Sequence, residues 1–167
     1  MKTTIFIAVL LLICAGCTSQ QSDQLTEQQK DQIKNEVKLV VHDLIAIEEK
    51  LDSVGTFQYY ADVPEFIAFN ADGSRSDFQS MKKSAFEMFS ASTSISIPTA
   101  REDYIVLAKD LVICAWLGKG NIAFKSGDKV SFDPDAVTLI FKKIAGQWKV
   151  IYSHESAIIT TQKAGKK

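Results

Sequence analysis

Little in this chain of 167 residues points to the common chemistries. Its two histidines and three cysteines are too few and too scattered for metal-ligand spacing. Its eight glycines form no phosphate-cradling loop. No serine sits in a nucleophile elbow. Charge of neither sign is in surplus: 19 Lys and Arg stand against 20 Asp and Glu, a formal net charge of −1. Nucleic-acid binding draws on a basic excess that is absent here. No nucleic acid, no metal and no cofactor are therefore expected. Long hydrophobic runs are also missing, apart from Ile5 to Ile13. That run is shorter than the roughly 20 apolar residues of a membrane span.

The run follows Lys2 and leads into Cys14-Ala15-Gly16-Cys17. A charged start, a short apolar segment and small residues before a cut mark a secretory signal. A Cys directly after Ala-Gly resembles a bacterial lipobox. The resemblance implies cleavage before Cys17, a lipid on its thiol and a membrane-anchored product; the alternative is an ordinary secreted protein cut nearby. Thr18, rather than Asp, follows the Cys. By the same resemblance this implies the cell envelope at the outer membrane, periplasmic side, where two membranes exist. The expected divisions are a signal peptide at 1–16, a flexible tether rich in Gln and Ser at 17–32, one domain at 33–160 and a basic tail at 161–167. Lipidation would consume Cys17. Cys114, inside the apolar run Leu111 to Leu117, is then a buried, inert thiol.

From Ile33 the pattern is helical. Ile33, Val37, Val40, Val41, Leu44, Ile47 and Leu51 recur at helical spacing, with Lys34, Glu36, Lys38, Asp43 and Glu49 on the other side. His42 lies between the two faces, as a solvated flank or a satellite of the core. Gly55 interrupts the helix, and Phe57, Tyr59 and Tyr60 cluster after it. Val63-Pro64 forces extended backbone. Glu65 to Phe69 reads as a short strand and Asn70 to Gly73 as a turn. Ser76 with Gln79 resembles a capping box opening a helix to about Ser90. From Ser92 four long strands are expected, broken by Lys109-Asp110, Gly127-Asp128 and Ala145-Gly146. Helices first and an antiparallel meander after them make an α+β fold.

If each turn is an even-length loop, register follows. Phe141 opposes Val150, Leu139 opposes Tyr152 and Val137 opposes His154. Trp116 opposes Leu139, Gly118 opposes Val137 and Gly120 opposes Asp135. Ile105 opposes Cys114, Asp103 opposes Trp116 and Arg101 opposes Gly118. One end of the inner face then turns polar: Arg101, Asp103, Asp135, Tyr152, His154 and Ser156 gather beside two glycines and Trp116. Space next to convergent polar groups is a ligand-site pattern. The plainer account is that the glycines let the sheet bend, and that His154 is hydrogen-bonded filler. A single bulge would turn a strand over and eject its polar residues.

The short strand Pro64-Glu65-Phe66-Ile67-Ala68-Phe69-Asn70-Ala71-Asp72-Gly73 and the terminal run Trp148 to Ser156 together resemble the nuclear transport factor 2-like superfamily, in its SnoaL-like branch. The resemblance covers about residues 33–159. It implies a cone-shaped curved antiparallel sheet packed on N-terminal helices, a homodimer through the outer sheet face, and a pocket lined by Tyr60, Arg101, Asp103, Trp116, Tyr152, His154 and Ser156. Trp148, His154 and Ser156 match the terminal motif. The tyrosine and paired acids of ketosteroid isomerase, and the paired histidines of scytalone dehydratase, have no counterparts at matching positions. Three functions stay open. The first is a membrane-anchored domain binding a small, partly apolar ligand without catalysis, with Arg101 and His154 fixing an anionic or carbonyl group. The second is an isomerase, cyclase or dehydratase using His154 or Asp135 as acid or base. The third is a structural dimerisation module.

Overall fold

The first helix begins at a capping box. Thr26 Oγ1 accepts from the Gln29 backbone N–H at 3.2 Å, and Gln29 Oε1 accepts from the Thr26 N–H at 2.8 Å. Helix α1 therefore spans Glu27–Glu49. Residues 27–32, tether by composition, are helical because this box satisfies the free N–H groups of a first turn. The computed structural model describes residues 24–165. The expected signal segment, the expected lipobox with Cys17, the first part of the expected tether and the last two lysines lie outside the described residues. No helix among the described residues is long and apolar enough to cross a membrane.

Helix α1 buries Ile33, Val37, Val41 and Leu44. A short α2, Ser53–Thr56, is capped by Asp52. Strand β1, Ile67–Phe69, turns at Gly73, whose φ of 81° suits a residue without Cβ, and pairs with β2, Arg75–Ser76. Helix α3, Phe78–Ala91, starts one residue later than the Ser76 box implies. Its cap is Asp77, whose carboxylate accepts from the Ser80 N–H at 2.7 Å.

The region after Ser92 holds five strands rather than four. These are β3 Ser92–Ser96, β4 Thr99–Ala108, β5 Leu111–Phe124, β6 Lys129–Ile144 and β7 Gln147–Gln162. Pro98, which has no N–H to give a ladder, separates β3 from β4. The two then pair with opposite ends of β5. Strand β7 runs through residues 161–162, the first part of the expected tail. The sheet order is β2-β1-β7-β6-β5-β3, with β4 also on β5, and β1 lies parallel to β7. The α+β expectation holds: helices cover one face of a curved, unclosed, mostly antiparallel sheet.

The expected register fails at all three hairpins, and two strands turn over. The Ala145-Gly146 hairpin forms as read, both residues at positive φ, and Phe141 does oppose Val150. Ile151 is then an extra residue, so Ile140 opposes Tyr152 and Thr138 opposes His154. A second bulge, at Leu107, turns β4 over: Tyr104 opposes Cys114 and Glu102 opposes Trp116. Between β5 and β6 the true loop is longer than Gly127-Asp128, and Asp133-Pro134 bulges. Trp116 opposes Val137 and Gly118 opposes Asp135, shifts of two residues that leave faces unchanged. The core joins α1 to Val112, Cys114, Leu139, Phe141, Trp148 and Val150. Glu36 ties the two layers, accepting from Lys143 Nζ at 2.7 Å and Trp148 Nε1 at 2.9 Å.

Candidate functional site

A cavity of about 330 Å³ opens between the inner sheet face, α1, the aromatic segment after α2 and α3. It falls within the usual range of small-molecule sites. Its walls are Val41, Leu44 and Ile45 of α1, Phe57 and Tyr60, Met81, Met88 and Phe89 of α3, and Trp116, Ile122, Phe132, Val137 and Leu139 of the sheet. The aromatic wall is braced internally. Phe57 meets Tyr60 at 5.4 Å and the edge of Phe78 at 5.7 Å between ring centroids.

Three carboxyls enter this apolar space. Asp135, of β6, is 7% exposed, and its Oδ1 has no hydrogen-bond partner among the described residues. Burial pushes its carboxyl up to about 6. Glu155 reaches the inner face because of the Ile151 bulge. Burial first, then the charges of Asp135 and Asp72, push it up to about 7, against a lowering hydrogen bond from the Ala71 N–H. Glu48 continues the buried stripe of Val37, Val41 and Leu44 along α1. Burial and then the charge of Glu155 push it up to about 8. The Tyr60 phenol is held well above its ordinary value by burial, then by Glu48 and Glu155. Near neutrality Asp135 is mostly ionised, Glu48 mostly protonated and Glu155 between them. No Lys, Arg or His lines the cavity among the described residues, and no group of His, Cys, Asp and Glu there could hold a metal ion.

Of the residues expected around the pocket, Tyr60, Trp116 and Asp135 line it. The others lie on the outer face. Arg101 and Asp103 pair there in solvent, Arg101 Nε donating to Asp103 Oδ2 at 2.7 Å. The Leu107 bulge puts them there. The Ile151 bulge does the same to Tyr152, His154 and Ser156. His154 is exposed and meets the edge of Phe69 at 6.0 Å between centroids. It therefore has no access to the cavity as acid or base. Gly118 makes room for its protein neighbours, while Gly120 lines the cavity beside Phe132. A Cβ on Gly118 would lie 2.4 Å from both the Pro98 carbonyl oxygen and the Trp116 ring, and one on Gly120 would touch Phe132. His42 is a clamp between α1 and β4: its Nε2 lies 3.0 Å from Glu102 Oε2, beside Lys38. Cys114 is fully buried, its thiol pushed up to about 12 by burial.

Glu48 and Glu155 are the cavity groups that sequence reasoning missed. Glu48 had a signal, since it falls at the next buried position of the α1 stripe. Glu155 had none, because its placement depends on the bulge.

No family model matches the sequence, and no curated protein does. Solved structures do. A proposed scytalone dehydratase from Novosphingobium aromaticivorans superposes with a TM-score of 0.71 at 8% identity, over 85% of this chain and 94% of that one. A nuclear transport factor 2-like superfamily protein from Salmonella enterica gives 0.68 at 12% identity, over 77% and 92%. The fold is nuclear transport factor 2-like. The association domain of a calcium/calmodulin-dependent protein kinase II from C. elegans shares the nuclear transport factor 2-like fold at 0.61 and 12% identity, over 78% and 99%. At such identities the likeness carries the nuclear transport factor 2-like architecture alone, and the chemistry must come from the cavity itself.

Proposed function

We propose that this protein is an enzyme that moves a proton on a small, partly apolar molecule, as an isomerase, cyclase or dehydratase does. The observation that carries the reading is Asp135, a buried carboxyl with a free oxygen, sharing an apolar cavity with acids of higher pKa. Environments that push neighbouring titratable groups apart divide the roles of acid and base among them. In this reading Asp135 is the general base and takes a proton from carbon. Glu48, protonated near neutrality, is the general acid toward a substrate oxygen. The Tyr60 hydroxyl donates to that oxygen as charge grows on it. Glu155 holds the Glu48 proton in place by repulsion.

Deuterium uptake from heavy water into small α,β-unsaturated ketones, followed by mass spectrometry, tests it. Asp135→Asn is expected to lower the rate by about 100-fold or more, the scale of a lost general base. His154→Ala is expected to leave it unchanged. Binding without exchange in the unaltered protein would return the pocket to a non-catalytic carrier of ligand. Two further elements belong to the proposal. A lipid on Cys17 would tether the domain to the cell envelope, a reading that rests on the lipobox. A second copy would cover the outer sheet face, which bears exposed Ile105, Leu107 and Leu117.

A further inference from the structure

The polar side chains at the cavity are carboxyls, hydroxyls and one amide. The Trp116 indole is the exception, and its N–H is already given to Thr99 Oγ1 at 2.9 Å. Three carboxyls thus share one apolar enclosure, with no cationic side chain lining it among the described residues. Buried charge without a partner is costly. The walls also hold Phe57, Tyr60, Phe89, Trp116 and Phe132, a class of side chain whose π-systems attract cations. Asp135 supplies an independent sign. Its side chain is buried against the cavity, and Oδ1 has no donor among the described residues. An unpaired buried acceptor is an exception that a bound donor resolves.

We propose that the cavity takes an organic cation: a protonated amine on a small apolar or aromatic body, donating to Asp135 Oδ1, with its charge held by Asp135, Glu155 and the aromatic walls. The inference rests on the cavity being the ligand site of the proposed function, and it names the class of ligand. It reverses the expectation of an anionic or carbonyl ligand held by Arg101 and His154, because neither side chain lies in the cavity. A bound cation favours the ionised form of every carboxyl facing it. Those facing groups are Glu48 of α1, Asp135 of β6 and Glu155 of β7, with the Tyr60 phenol beside them and Asp72 of the β1–β2 turn acting on Glu155. The side chains of α3, β3 and β5 at the cavity are not titratable. Amine binding therefore releases protons, and it strengthens as pH rises through the window from about 6 to about 7 that Asp135 and Glu155 set.

The test is a matched series titrated calorimetrically into the full-length protein: 4-phenylbutylamine, 4-phenylbutan-1-ol and 4-phenylbutanoate. The amine stays protonated throughout, as alkylammonium groups titrate near 10.4 or so, roughly the lysine value. It is expected to bind about tenfold tighter than the alcohol at about pH 8, and about tenfold tighter there than at about pH 6. The alcohol should show no such pH trend. Asp135→Asn should abolish the preference for the amine, and Asp103→Asn, on the outer face, should preserve it. The pH trend is read on the unaltered protein, so a variant that fails to fold does not rescue the idea. Alcohol or carboxylate binding as tightly as the amine at the higher pH would overturn it, as would no binding of the amine. Amine binding without carbon deuteration would keep the cation site and remove the enzyme. Deuteration of neutral ketones without amine preference would do the reverse.

Discussion

Glu48 sits where the stripe of a buried helix face ordinarily carries leucine. It follows Val37, Val41 and Leu44 along α1, so its carboxyl enters the apolar cavity with them. Burial moves it from an ordinary 4.5 to about 8; Glu155 rises to about 7 and Asp135 to about 6. The consequence for stability has a definite sign. Between the unfolded and folded values the native chain binds more protons than the unfolded one, so stability falls as pH rises through that window. Its contribution is complete below the ordinary carboxyl range and is lost as each folded value is passed. Glu48→Gln keeps the shape and removes the titration. The variant is expected to match the parent at about pH 5 and to exceed it by about 1 kcal/mol at about pH 8, after discounting the full shift for water entering an open cavity. Thermal melts across that range measure it. Parallel curves for parent and variant would mean that Glu48 ionises as freely in the folded chain as in the unfolded one.

At the scale of elements, turns were legible and bulges were not. Ala145-Gly146 announced its hairpin through Gly146, because a glycine between two alternating runs marks the positive φ that a tight hairpin turn requires. The bulges at Leu107 and Ile151 have none. Each lies in an unbroken apolar run, Ile105-Val106-Leu107 and Val150-Ile151-Tyr152, where either phase of the strand offers a side chain fit for the core. Alternation cannot report a change of phase there. From that one extra residue follow the exposure of His154 and the burial of Glu155. The start of α1 was misread for a related reason. The segment before Ile33 is polar, and composition outweighed the Thr26-Gln29 box. Thr26→Ala removes the side-chain acceptor and is expected to cost about 1 kcal/mol. Leu25 packs against the core just before the box, so the loss should reach the global melt. Hydrogen exchange should show the first-turn amides of α1 opening sooner. Unchanged protection of those amides would show that the helix start is held by something other than the box.

For the whole molecule, β4 and the part of β7 beyond Ile151 have exchanged faces, while β5 and β6 keep theirs. The expected register put Ile105 and Leu107, with Arg101 and Asp103, toward the helices, and Glu102 and Tyr104 toward solvent. The Leu107 bulge reverses this: Tyr104 and Glu102 face α1, while Ile105 and Leu107 stand 53% and 55% exposed. Ile105 heads a row that register carries across the sheet through Ile113, Ile140 and Tyr152. Leu117, 40% exposed, lies on the same face beside Arg101. Single exposed apolar residues are ordinary on protein surfaces, but a contiguous row with polar rims marks an interaction surface. Arg101, Asp103 and Lys142 supply such a rim. Such a face pairs with its own copy about a two-fold axis, the same patch serving on both sides. The proposed homodimer therefore makes a sharp prediction. Multi-angle light scattering on the purified, unlipidated chain should give twice the monomer mass. Ile105→Glu with Leu117→Glu should give the monomer mass, with secondary structure by circular dichroism retained, because neither side chain belongs to the core. If the parent is already monomeric at about 100 μM, well above the dissociation constants of stable interfaces, the apolar row does not bind a second copy.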